Sequence, residues 1–287
     1  MFFRAACVTG QEIPILVPMG EILVGTCGYS YEDWRETLYP PELPKLEFLH
    51  YYSLFFPFVE LDFTYYSMPS ARSMASMAAR TPSPFAFAVK THRTLTHEIG
   101  PGWKDDAAAF ARALEPLARD GRLACVLVQL PFSFRHEKAN RVHLASLCDA
   151  LSAYPLAVEF RNAGWYTERV FDELERRKLA LALVDRPELA GLPPEAERVT
   201  AGFSYLRFHG RNAEAWWKGD ATSRYDWLYS EEELQGAAAR LGRLAQKARV
   251  VYAAFNNHAR GRAVVNAKRL VEILEPRLEA ARRQEQP

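Results

Sequence analysis

LAVEFRNAGWYTERVFDELERRKLALALVD, residues 156–185, contains a complete strand–helix–strand unit. Leu156 to Arg161 is an apolar, β-rich run that finishes in polar residues, and Ala180 to Asp185 is another. Between them Thr167 stands where a helix N-cap belongs, followed by Val170, Phe171 and Leu174 on one helical face. Runs that are apolar at nearly every position are strands covered on both faces. A helix joining two of them is the crossover of a parallel sheet.

The same punctuation recurs along the chain, at Ile22 to Cys27, Phe58 to Asp62, Phe85 to Lys90, Ala124 to Gln129, Phe203 to His209 and Val250 to Asn257. The strand ends lie on average about 33 residues apart, one βα unit each, and eight such units predict a single-domain α/β protein, a closed (β/α)8 TIM barrel. Helix signals fill the gaps. Phe110, Leu114 and Leu117 form a stripe ending at Gly121, Ser230 with Glu233 makes a capping box, and Val264, Ala267, Leu270, Val271 and Leu274 predict the closing helix. Two gaps differ. The sixth is short and holds Pro187, Pro193 and Pro194, so its helix is expected to shrink to a turn or be displaced. The seventh, Gly210 to Tyr229, is long and rich in basic and aromatic residues, which fits either a lid over the substrate or an aromatic plug in the barrel mouth.

With 287 residues, 49% hydrophobic, the chain can enclose one large core. Residues 1–20 are expected to form an extension outside the barrel, 21–278 the barrel, and 279–287 a charged, fraying tail. Lys+Arg 36 against Asp+Glu 35 excludes a global field that would hold the protein on nucleic acid, so any anion site is local. Cys7, Cys27, Cys125 and Cys148 show no CxxC spacing, which fits a reduced, cytoplasmic setting. No span is apolar enough to cross a bilayer, so no membrane partner is expected.

Three strands end in polar pairs at i and i+2: Glu60 with Asp62, Glu159 with Arg161, and Arg207 with His209. Side chains alternate along a strand, so each pair shares a face, and ions facing the helix layer would be costly to bury. The mouth at the carboxyl ends is therefore their expected destination, with Lys90, Gln129, Asp185, Asn256 and Asn257 extending the ring and His97 reaching it from the third loop. In the catalytic reading Glu60 and Glu159 exchange protons, His209 and Asp185 assist, and Lys90, Arg161 and Arg207 hold an anionic group under a cover of Trp216 and Trp217. In the structural reading the same ions neutralise one another and finish the top of the core.

Other chemistries are less well marked. Glu60, Glu159, Asp185 and His209 are metal-ligand types, but no HxH or HExxH spacing accompanies them and three cations oppose a divalent charge, so no metal is assigned. The chain has no GxSxG, GxxxxGK[ST] or GxGxxG motif. Cys27 reads as an inert packed thiol.

The segments GTCGYSYEDW (25–34), LYPPEL (38–43), VELDFTYYSMP (59–69), TPSPFAFAVKTHRTLTH (81–97), VLVQLPFSF (126–134), VEFRNAGWY (158–166), LRFHGR (206–211), RYDWLYSEEEL (224–234) and AAFNNHARGRAVVNA (253–267) together resemble the domain of unknown function 72, the YecE-like family. The resemblance spans about residues 22–275 and implies a TIM barrel without a settled activity. Its likeness to endonuclease IV and sugar isomerase barrels brings in nucleic-acid binding as an expectation by analogy. Carried over position by position, the family's polar signature falls on Glu60, Lys90, His97, Gln129, Glu159, Arg161, Asp185, Arg207, His209, Asn256 and Asn257. This chain departs from it in having Asp62 for asparagine, Ser67 for arginine, and Cys27 and Tyr29 for serine and tryptophan.

The expected function is thus an enzyme acting on a phosphate- or carboxylate-bearing substrate, with the cofactor and oligomeric state open. The alternatives are a module binding damaged or single-stranded DNA through Arg211, Lys218 and Arg224, or a metal-dependent endonuclease-like phosphodiesterase using Glu60, Glu159, Asp185 or His209.

Overall fold

The computed structural model describes residues 20–284. The predicted extension (1–20) therefore lies outside the described residues except for Gly20, whose N–H donates to the Ala245 carbonyl at 2.8 Å. Eight parallel strands close into a barrel in sequence order: β1 (Glu21–Cys27), β2 (Phe58–Leu61), β3 (Ala86–Lys90), β4 (Leu123–Gln129), β5 (Leu156–Glu159), β6 (Ala180–Asp185), β7 (Phe203–Phe208) and β8 (Val250–Phe255). The ring is sealed by β8 alongside β1, from Glu21 opposite Val250 to Thr26 opposite Phe255.

Strand alternation sorts the apolar residues into two cores. Inside the barrel, alanines from β3, β5 and β6 (Ala88, Ala157, Ala180, Ala182) leave room that Phe58, Tyr205 and Tyr252 fill from the opposite side. The Phe58 and Tyr252 rings meet edge to face at 5.2 Å. Residues of the other parity, such as Val59, Val126, Val158, Leu181 and Leu206, pack outward against the helices.

The helices are α1 (Phe48–Tyr52), α2 (Ala71–Ala79), α3 (Arg93–Thr96), α4 (Trp103–Arg119), α5 (Lys138–Ala150), α6 (Glu168–Arg176), α7 (Ala221–Arg224), α8 (Glu231–Ala245) and α9 (Arg262–Gln284). The sequence signals account for their faces and ends. Thr167 Oγ1 accepts from Val170 N–H at 3.3 Å, α4 buries Phe110, Leu114 and Leu117, and α9 buries Val264, Ala267, Leu270 and Leu274. α9 runs past the point where a tail was expected, to Gln284, and residues 285–287 lie outside the described residues.

At α8 the capping box is closed in both directions: Glu233 N–H donates to Ser230 Oγ at 3.2 Å, and Ser230 N–H donates to the Glu233 carboxylate at 2.8 Å. Ser230→Ala is expected to lower stability by about 1 kcal/mol, read as a lower urea midpoint at unchanged slope.

Between β6 and β7 the proline-bearing segment forms no helix. Arg240, buried on α8, reaches into the space instead, donating to the Ala196 carbonyl at 2.7 Å and pairing with Glu195 at 3.1 Å. The seventh loop turns back over the barrel at Gly210, where φ is +81° and an added Cβ would come within 2.6 Å of Trp227 Cβ, leaving no room for a side chain. Within it Trp216 is buried over the mouth, while Trp217 is half exposed and packs edge-on against Phe132 at 4.9 Å. One tryptophan plugs and the other walls the opening.

Candidate functional site

The polar pairs project as their spacing predicts. β2 and β5 carry Glu60 and Glu159 inward, with Asp62 and Arg161 two residues on. β7 carries Arg207 inward with His209 beyond it, and Lys90, Gln129 and Asn256 come from β3, β4 and β8. These groups form two storeys.

The lower storey is an ion network sealed from water. Arg207, 1% exposed, bridges two carboxylates that are 0% exposed. It meets Glu60 through Nη2 at 2.6 Å and Nε at 2.9 Å, and Glu159 through Nη1 at 2.6 Å. Tyr205 donates to Glu60 at 2.8 Å, and Arg161 Nε donates to Glu159. Burial pushes the Glu60 carboxyl up to about 7 against the pull of Arg207. Burial also pushes Glu159 upward, but Arg161 and Arg207 outweigh it and hold that carboxyl well below its ordinary value.

His209 lies between the storeys. Its Nδ1 is 2.9 Å from the Asn256 amide nitrogen, so with that amide donating, the ring proton sits on Nε2, 3.4 Å from Glu159. Burial and the nearby Arg161 hold it down to about 3, a neutral imidazole at pH 7.

The upper storey is a cavity of about 530 Å³ open at the carboxyl ends of the strands. Asp62, Lys90, His97, Gln129, Arg161, Arg207 and Asn256 line it from the barrel, with Trp216, Trp217, Arg224 and Tyr225 from the seventh loop. Lys90 Nζ sits 4.7 Å from the centre of the Tyr65 ring, its nearest carboxylate oxygen 3.9 Å away on Asp62. Arg224 Nε is buried without a hydrogen-bond partner among the described residues, as is Asp62 Oδ1. His97 contacts the Thr96 hydroxyl through Nδ1 at 2.8 Å, and burial with Lys90 and Arg161 holds it down to about 4. Burial pushes the Tyr225 phenol up, but Arg161, Lys90 and Arg207 prevail and keep it below its ordinary value.

Several sequence expectations need correction. Asp185 does not join the ring. It shares the parity of Leu181 and Leu183, which face the helices, and it is taken outside the barrel by Arg211 at 2.6 and 3.0 Å and by the Tyr229 hydroxyl at 2.7 Å. Asn257 likewise shares the outward parity of Ala253 and Phe255 and donates to the Trp227 carbonyl at 2.7 Å. The cost of a buried charge on the helix side is met there by a supplied partner, which the strand residues alone do not reveal. Glu60 and Glu159 lie beneath the cavity rather than in its lining, with both oxygens of each engaged. Tyr31, Tyr65, Tyr66, Tyr225 and His258 line the cavity but were not singled out as site residues. The signal for Tyr31, Tyr65, Tyr66 and His258 was nearness to strand ends, and for Tyr225 membership of the basic, aromatic seventh loop.

The ligand set Glu60, Glu159, Asp185 and His209 is not assembled. Among the described residues Cys27, Glu60 and Asp62 form the cluster with metal-binding geometry, their donor atoms within 4.8 Å of one another. The Arg207 guanidinium already stands among them, 3.6 Å from Cys27 Sγ and 3.9 Å from Asp62. Burial keeps the Cys27 thiol protonated, its pKa well above the ordinary value. A fixed cation in the centre and a protonated thiol make a poor divalent site. Cys27, Cys125 and Cys148 are free and buried. No described helix is long and apolar enough to cross a membrane.

Known proteins are similar to this chain in fold and in sequence. A DUF72 family protein from Thermotoga maritima MSB8 superposes with a TM-score of 0.82 at 39% identity, covering 89% of this chain and 99% of that one. A DUF72 family protein from Enterococcus faecalis V583 gives 0.81 at 26% identity, covering 88% and 95%. The UPF0759 protein YunF of Bacillus subtilis (strain 168) is 31% identical over 270 residues, 88% of this chain and 95% of its own length. The model of the family "Protein of unknown function DUF72" matches residues 23–287. A barrel of this order, filled this way and matched along nearly its whole length, belongs to the DUF72 family.

Proposed function

We propose that the protein is an enzyme acting on a phosphate- or carboxylate-bearing small molecule in the cavity at the carboxyl face of the barrel. The observation that carries this reading is the direction of the charges. The buried carboxylates are engaged from above by Arg207 and Arg161, while Lys90 and Arg224 line the cavity with no side-chain hydrogen bond to an acceptor among the described residues, Lys90 lying 3.9 Å from Asp62. Cations with unmet donors in a desolvated recess attract an anion and fix its orientation.

In this reading Glu60 and Glu159 position Arg207 and Arg161 rather than exchange protons. Proton transfer falls to His97, neutral at pH 7 and able to accept, and to Tyr225, whose phenol is held below its usual range beside Arg161. Trp216 and Trp217 exclude water above the ligand.

The DNA-binding alternative receives less support. Of its three cations, Arg211 is paired with Asp185 and Glu233, and Arg224 lines the cavity, which leaves Lys218 on the exposed loop. A single free cation makes a weak backbone track.

Thermal-shift screening against phosphorylated and carboxylated metabolites tests the proposal. Anions that raise the wild-type Tm are expected to bind at least about ten-fold more weakly to Lys90→Met and to Arg224→Gln, the loss of one charged hydrogen bond. An anion panel that leaves wild type unmoved, or variants that bind as well as wild type, would overturn it.

A further inference from the structure

On the side of β1 and β2 the cavity ends at a shared wall. Tyr31, Asp62 and Tyr66 line it and at the same time border a second hollow of about 570 Å³ that extends along α2 to Met77 and Arg80. The two spaces differ in chemistry. The second is walled by Tyr29, Phe63 and Met77, and the guanidinium at its far end is committed to the carbonyls of Leu46 and Ser76. It offers aromatic and thioether surface with its one cation engaged, where the first sets Lys90, Arg161 and Arg224 among aromatic side chains of its own. Tyr66 is 69% exposed and Phe63 42% exposed, so two ring faces border this hollow in contact with water.

The partition between the spaces is held in place. Tyr31 stacks on His258 with ring centres 4.7 Å apart and planes at 4°, and its hydroxyl donates to the Cys27 carbonyl at 3.3 Å. Gly28 makes this possible, because at φ +76° a Cβ would come within 2.6 Å of that hydroxyl. On the opposite side of the charged cavity Trp217 abuts Phe132, and Trp216 closes the roof. A ligand anchored at Lys90 and Arg224 that extends beyond the first cavity on this side crosses the edge formed by Tyr31 and Tyr66.

Concave, mostly apolar space adjoining a cationic recess fits a molecule with both characters. We propose that the second hollow is a subsite for a planar aromatic ring carried by the anionic substrate, making the ligand class a ring-bearing phosphate such as a nucleoside monophosphate. The ring lies against Phe63 and Tyr66 with Met77 behind it, while the phosphate meets Lys90 and Arg224. This deepens the anion reading above and rests on it.

Calorimetric titration of the full chain with inorganic phosphate, ribose 5-phosphate, phenyl phosphate and adenosine 5′-monophosphate separates the two ideas. The ring-bearing phosphates are expected to bind about ten-fold more tightly than the ringless ones, the size of one aromatic stacking contact. Phe63→Ala, at a half-exposed position outside the charged cavity, is expected to erase that advantage and leave inorganic phosphate binding unchanged. A gain for phenyl phosphate equal to that of the nucleotide identifies the ring alone as the recognised group, and a gain confined to the nucleotide identifies the nucleobase. If inorganic phosphate binds in a Lys90-dependent way and a ring adds nothing, or if Phe63→Ala keeps the advantage, the subsite is refuted and the anion reading stands. If none of the four binds, both fall.

Discussion

Arg207→Met is expected to destabilise the protein by about 3–5 kcal/mol, the cost of leaving buried charge without its partner. Arg207 is the cation shared by Glu60 and Glu159, and all three are sealed from water. Methionine fills much of the volume but supplies none of the charge, so Glu60 would take up a proton and Glu159 would keep only Arg161 and the edge of His209. Replacing Glu60 as well, as Glu60→Gln with Arg207→Met, is expected to recover much of the loss, because the neutral amide needs no counter-ion while Glu159 keeps its pair with Arg161. Urea unfolding monitored by tryptophan fluorescence gives both numbers. A single variant within about 1 kcal/mol of wild type would show that this floor is not a stressed ionic core but a hydrated one.

Acidification is expected to lower the stability of the protein in two stages. His209 and His97 are held neutral, at about 3 and about 4, so the unfolded chain, in which histidine titrates near 6.5, binds more protons below that pH and stability falls. Glu60 acts in the opposite sense. Its folded value of about 7 is above the unfolded one, so its contribution is complete at low pH and is lost as pH rises through 7. Between pH 6.5 and about 4.5 the two histidines exceed the single glutamate, and the net slope is on the order of 1 kcal/mol per pH unit, His97 contributing less because its ring is partly solvated. Below about 4.5 Glu60 no longer compensates, Glu159 must be protonated away from its arginines, and the decline steepens. His209→Asn, which can still accept from Asn256, is expected to flatten the first stage. A variant that keeps the wild-type slope there would remove His209 from the account.

The pairs at Glu60 and Asp62, Glu159 and Arg161, and Arg207 and His209 were legible because a strand has period two and their lower partners continue the parity of Phe58, Ala157 and Tyr205, the inner core. Asp185 and Asn257 were misplaced by the same kind of reasoning. Each ends an apolar run, but the register that counts is set by the residues before it, and both continue an outward row. Reading the small inward alanines of β6, Ala180 and Ala182, would have put Asp185 outside. Tyr225 and Arg224 were visible only as members of a basic, aromatic loop, since nothing local to residues 210–229 tells which ring turns inward.

The sequence by itself determined the barrel, the order of its strands and the face on which polar residues collect. Those follow from hydrophobic period, caps and unit length, properties of neighbouring residues that act before any distant contact exists. Only the tertiary structure decided which charge meets which. Glu60 and Glu159 became supports beneath Arg207, while Lys90 and Arg224 kept their donors facing the cavity, because ion pairing is fixed by distances of a few ångströms between strands far apart in the chain.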